Sequence, residues 1–143
     1  MNFKILKPLS IFTLCFCVSA MNVFASEKVL QSIDNLDNED VHTDEGNYFK
    51  LIQIEQGCRI EAKFYLSNQQ HIYNYYFNNQ TLYKATRKTF QYRYKKGEEG
   101  SLGAVTGIYQ SSSEVYPLTD AEMLKRYKYF KSLFPSTYLK QCT

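Results

Sequence analysis

Seven Tyr or Phe and six Lys or Arg fall within the 23 residues from Asn74 to Lys96. Cations and aromatic rings at this density can hold anionic groups and stack on planar or sugar surfaces. Lys84, Arg87, Lys88 and Arg93 are the first candidates for such binding, with Lys95 and Lys96 beyond them. A second pair of candidates, Glu98 and Glu99, sits between Gly97 and Gly100, where two carboxylates at a loop tip would suit insertion into a cationic cleft.

Catalytic chemistry has less to draw on. His71 follows a turn and has Glu61 as its only proposed carboxylate partner, across a hairpin. His42 lies among Asp40, Asp44 and Glu45, a composition that suits a weak cation cluster and equally a plain acidic linker. No Gly-x-Ser-x-Gly, His-Glu-x-x-His or glycine-rich phosphate loop occurs. Adjacent carboxylates in a glycine-rich loop are poorly held for catalysis, which needs rigid placement. The sequence therefore nominates no catalytic residue, no metal site and no cofactor.

The elements that must position these residues are mostly strands. Ile60, Ala62, Phe64 and Leu66 alternate with Arg59, Glu61, Lys63 and Tyr65, the period-two pattern of a half-buried strand. Ile72–Phe77, Thr81–Lys88 and Thr89–Tyr94 read as further strands, rich in the β-branched and aromatic residues that suit a pleated surface. Within them Tyr73, Tyr75 and Phe77 share one face. Phe90, Tyr92 and Tyr94 share another, opposite Gln91, Arg93 and Lys95. The structural reading is that an aromatic face lies under a helix and a cationic face is solvated. Residues 95–107 hold four of the six glycines and predict a flexible loop, after which Ile108–Tyr116 returns to the sheet.

Thr119-Asp120-Ala121-Glu122 spells a capping box with Thr119 at its head. Met123, Leu124, Tyr127, Phe130 and Leu133 then recur on one helical face until Pro135. The expected fold is α+β: an antiparallel β-meander of three to five strands with a C-terminal amphipathic helix packed on one face.

Three further features place the domain. Residues 1–25 read as a signal peptide: Lys4 and Lys7, an apolar run over 11–20, and Val23-Phe24-Ala25 before the cleavage point. The run is too short to serve as a membrane anchor. Cys15 and Cys17 fall within it, which leaves Cys58 and Cys142 as an expected disulfide in an oxidising compartment. Residues 26–47 read as a short helix, with Val29, Leu30, Ile33 and Leu36 on one side, and an acidic linker; residues 48–143 form a single disulfide-closed domain.

Charge divides along the same boundary. Residues 26–45 carry seven carboxylates against Lys28, while residues 46–143 carry 14 basic side chains against seven acidic. The acidic segment is a candidate mask for the basic face. Taken together, these features predict a periplasmic or secreted, non-enzymatic protein that binds a protein partner, of inhibitor, immunity or assembly type. The alternative is a binder of polyanion or cell-wall glycan through the Tyr/Lys/Arg-rich sheet; a hydrolase stands behind both. Nucleic acid is disfavoured as a partner by export and by the lack of a recognition motif.

Overall fold

Alternation along each segment carries through to an antiparallel sheet with strands in sequence order: β1 (Lys28–Asp34), β2 (Asn47–Ile54), β3 (Gly57–Tyr65), β4 (Gln69–Asn78), β5 (Thr81–Tyr94) and β6 (Val105–Val115). Two helices follow, α1 (Ala121–Ser132) and α2 (Ser136–Leu139). This computed structural model describes residues 27–79 and 81–143; the expected signal peptide, with Cys15 and Cys17, lies outside them.

The meander has six strands, not three to five. Strand β2, Asn47–Ile54, is an additional strand, and two further departures change the count. The segment expected to be a short helix is strand β1, paired with β2. Its apolar spacing looked helical because Leu30 is an extra residue between the pairs Val29–Ile52 and Gln31–Leu51. That bulge lets Leu30 and Ile33 both reach the core, which a regular strand would forbid. The two expected strands at 81–88 and 89–94 are one continuous strand, β5.

The expected acidic linker is also folded. Val41 is buried, and the buried Asn47 side chain donates to the Leu36 and Val41 carbonyls and accepts from the Leu36 amide. The Gly46 carbonyl takes the Tyr65 amide, fastening the segment to β3.

Register lines up one face of the sheet as the core. Phe49, Ala62 and Tyr73 lie side by side across β2, β3 and β4; Leu51, Ile60, Tyr75 and Ala85 form the next row, and Cys58 and Phe77 the next. Helix α1 covers these rows with Met123, Tyr127 and Phe130, and Phe134 follows. Phe130 is the hub, its ring centroid 5.1 Å from Phe49, 5.8 Å from Tyr75 and 6.0 Å from Phe64. The chain has no Trp and its aromatics supply much of this volume. The Tyr75 and Tyr127 hydroxyls are buried, with the Arg126 guanidinium near that of Tyr75; burial pushes both phenols up, Tyr127 to about 12, so both are neutral.

The helix begins one residue later than the capping-box pattern implies. Asp120, not Thr119, is the N-cap, and its Oδ1 accepts from the Met123 amide at 2.7 Å. At the other end, Cys142 is bonded to Cys58 of β3. The turn before β3 requires glycine: Gly57 has φ +106°, and a Cβ there would collide with the Phe77 carbonyl oxygen. No helix among the described residues is long and apolar enough to cross a membrane, a statement about helices and not about strands.

Candidate functional site

Among the described residues no element covers the face of the sheet turned away from α1, and its side chains follow from strand parity. Register sets them in rows. Ile52, Arg59, Tyr76 and Lys84 form one row; Lys50, Glu61, Asn74 and Thr86 the next; Tyr48, Lys63, Ile72 and Lys88 a third; Tyr65, Gln70 and Phe90 a fourth. Strands β2, β3 and β5 thus contribute cations to one surface, and β4 contributes Gln70, Ile72, Asn74 and Tyr76 between them.

Aromatic rings hold those cations. Lys50 Nζ sits 4.4 Å from the Tyr48 ring centroid, Lys63 Nζ 4.6 Å from Tyr65, and Lys84 Nζ 5.1 Å from Tyr76. The middle of the face is a polar seam. Arg59 and Glu61 are largely covered, with 17% and 20% of their side chains exposed, and approach each other at 3.7 Å. The Tyr48 hydroxyl donates to Glu61 at 2.8 Å; burial first, and this bond second, push its phenol well above the usual tyrosine range. Asn74 and Gln70 are buried in the same seam beneath longer side chains, their carbonyl oxygens without partners.

Charge compensation on this face is local. Arg59 forms a forked pair with Glu27 at 2.9 and 3.0 Å. Among the described residues, Lys50, Lys63, Lys84 and Lys88 have no carboxylate within 4.0 Å. The acidic segment does not mask them by ion pairing: it supplies only Glu27 to this surface, while Asp37 and Asp44 bracket His42 instead.

No family model, curated protein or solved structure matches the chain. Its site is therefore defined by geometry alone.

The six residues nominated from sequence divide three ways. Lys84 and Lys88 lie on the uncovered face. Arg87 and Arg93 point to the helix side, because β5 alternates after Tyr83, an extra residue in its pairing with β4. Arg87 pairs with Glu114 at 2.9 Å, and Arg93 lies 5.0 Å from the Tyr109 ring. Glu98 and Glu99 are remote from both groups, in the β5–β6 connection. That connection holds two successive turns, Lys95–Glu98 and Glu98–Ser101, and β6 begins at Val105, inside the span expected as a loop. Glu99 is folded back to accept from the Gly97 amide at 3.0 Å, a bond that holds its carboxyl below the usual range.

The expected aromatic arrangement is corrected too. Tyr73, Tyr75 and Phe77 do enter the core under the helix, but Phe90, Tyr92 and Tyr94 lie on the opposite side of the sheet. His71 and Glu61 likewise occupy opposite faces, since His71 pairs with Phe64 and Glu61 with Asn74. Both His71 nitrogens are occupied, Nδ1 3.1 Å from Thr89 Oγ1 and Nε2 3.2 Å from the Gln69 amide. A neutral ring with its proton on Nδ1 satisfies both, so His71 is not a free base here. Among the described residues, no three His, Cys, Asp or Glu side chains converge as a metal site.

Lys50, Arg59 and Lys63 were missed from sequence, as were Tyr48, Tyr65 and Tyr76. The signal was present: Tyr48, Lys50 and Ile52 share one parity, and Arg59, Glu61, Lys63 and Tyr65 share another. Joining them into one surface needed the pairing register.

Proposed function

We propose that the protein is a small exported binding protein, without catalysis of its own, whose uncovered sheet face captures an acidic surface on a protein partner. The observation that carries this reading is the set of four lysines, without ion-pair partners among the described residues, spread over β2, β3 and β5, with three of them seated on tyrosine rings. A broad surface of this kind offers complementarity to an extended acidic patch, and such complementarity governs partner choice and encounter rate. Tyrosines beneath the lysines add apolar contact at low entropic cost. Export rests on the N-terminal pattern of residues 1–25, and the Cys58–Cys142 bond fits an oxidising compartment.

The second reading is an acidic glycan or similar polyanion on the same face, since cations and aromatic rings also suit that ligand. Salt separates the two, because exposed charge interactions alone are screened away at high ionic strength. The test is affinity capture from an envelope extract, with the oxidised protein as bait. Wild type would be compared with a Lys50→Glu, Lys63→Glu, Lys84→Glu, Lys88→Glu variant. One protein held through a high-salt wash by wild type and lost by the variant is the expected result. Material eluted by salt and consisting of glycan would support the second reading. Equal retention by both baits would remove the lysine face from consideration.

A further inference from the structure

On the opposite side of the sheet, α1 leaves the adjoining ends of β3 and β4 incompletely covered. The helix, these strands and the turn around Val41 enclose a cleft of about 440 Å³. Its floor is aromatic. Phe64, Tyr73 and Phe130 meet there with ring centroids 5.8, 6.0 and 6.5 Å apart. His71 contributes a flat wall and, with both nitrogens occupied, little hydrogen-bonding capacity.

The cation stacked on the floor of this cleft is Arg126. Its guanidinium lies over the Tyr73 ring, 4.8 Å from the centroid, and the residue is half-buried in the second turn of α1. No carboxylate among the described residues lies within 4.0 Å of it, whereas Arg87, another arginine on this side, is paired with Glu114. A planar guanidinium held by stacking is already oriented for a forked pair with a carboxylate or sulfonate, and partial burial strengthens that pair. The rest of the mouth selects among anions. Lys125 stands beside Arg126, but Asp40 and Glu122 face the same opening, so the rim has as many carboxylates as cations. That balance favours one negative charge over two or more. The apolar floor asks for a ring or chain on the same ligand, and the volume lies in the range that takes a drug-sized molecule.

We propose that this cleft is a binding site for a small monoanionic organic acid, its acid group on Arg126 and its apolar body on Phe64, Tyr73 and Phe130. The site is independent of the lysine face, from which the sheet separates it, and it uses residues that face does not.

The probe is 2-naphthoate, with 2-naphthol as its neutral counterpart, titrated into the oxidised protein and followed by NMR. Saturable one-to-one binding of the naphthoate, shifting the Tyr73 and Phe130 ring signals, is expected, with at least tenfold weaker binding of the naphthol. Arg126→Gln should weaken naphthoate binding about tenfold or more, and Arg126→Lys should restore it only in part, since the ammonium lacks the planar fork. Glu122→Gln, on the exposed first turn, should tighten binding and does not depend on the arginine variants remaining folded. The quadruple lysine variant should bind as wild type does. The proposal falls if naphthoate does not saturate, if the naphthol binds equally well, or if Glu122→Gln and Arg126→Gln both leave affinity unchanged. Loss of binding in the lysine variant would place the anion on the other face and overturn it as well.

Discussion

The two histidines of the described chain sit in opposite surroundings. His42 Nδ1 lies 2.8 Å from Asp37 and Nε2 3.1 Å from Asp44, and these hydrogen bonds, Asp37's above all, raise its pKa from 6.5. Burial, and after it the Arg87 charge, lower that of His71 from the same value. NMR titration should therefore find His42 changing charge above 6.5 and His71 below it, and Asp37→Asn should move His42 down while leaving His71 in place. The linkage signs follow. His42 contributes stability that is complete below its unfolded pKa and lost as pH rises through the folded one; its exposure to solvent keeps that contribution small. His71 acts in the other direction: as pH falls through 6.5 the unfolded chain takes up a proton that the folded ring refuses, and stability declines. Neither behaviour was legible in the sequence. His42 was placed among acids there, but the decisive partner, Asp37, came from the way the turn closes.

At the scale of elements, local patterns served best where packing agreed with them. The helix is the clearest case, since Met123, Tyr127 and Phe130 recur at helical spacing and all three are buried. Its cap shows the limit of a motif. The Thr119–Glu122 spacing fits a capping box, yet Asp120 is the residue whose side chain reaches the Met123 amide. Asp120→Ala should cost about 0.5–2 kcal/mol and Thr119→Ala close to nothing, measured by urea denaturation at neutral pH. Bulges explain most of the remaining differences. Leu30, Tyr83, Thr106 and Ser111 are each an extra residue in one strand of a pair. An extra residue reverses which side later residues face, and nothing in single-strand alternation announces it. In β6 the Ser111 and Thr106 hydroxyls donate to the Thr89 and Arg93 carbonyls, satisfying the ladder where it is interrupted. Two bulges in an edge strand also make it a poor template for pairing with another chain.

For the whole molecule, the Cys58–Cys142 bond spans 84 residues and ties the end of the chain to the middle of the sheet. In the chain-entropy model a loop of that length contributes about 4–5 kcal/mol, by restricting the unfolded state. Replacing both cysteines with alanine should lower the urea midpoint by a corresponding amount while leaving the far-ultraviolet circular dichroism of the folded form nearly unchanged. The sequence pointed to this pair, because Cys58 and Cys142 are the two cysteines beyond residue 25. It also indicated an antiparallel meander, the C-terminal helix and the inside-outside parity of β3 and β4, all of which depend on neighbours a few residues away. The tertiary structure decided which parity the helix covers. Placing Tyr73, Tyr75 and Phe77 in the core but Phe90 and Tyr92 outside it depends on strand register, on bulges and on where α1 returns across the sheet. The lysine face and the Arg126 cleft are built from residues on several strands and a distant helix, so both came into view only with that long-range arrangement.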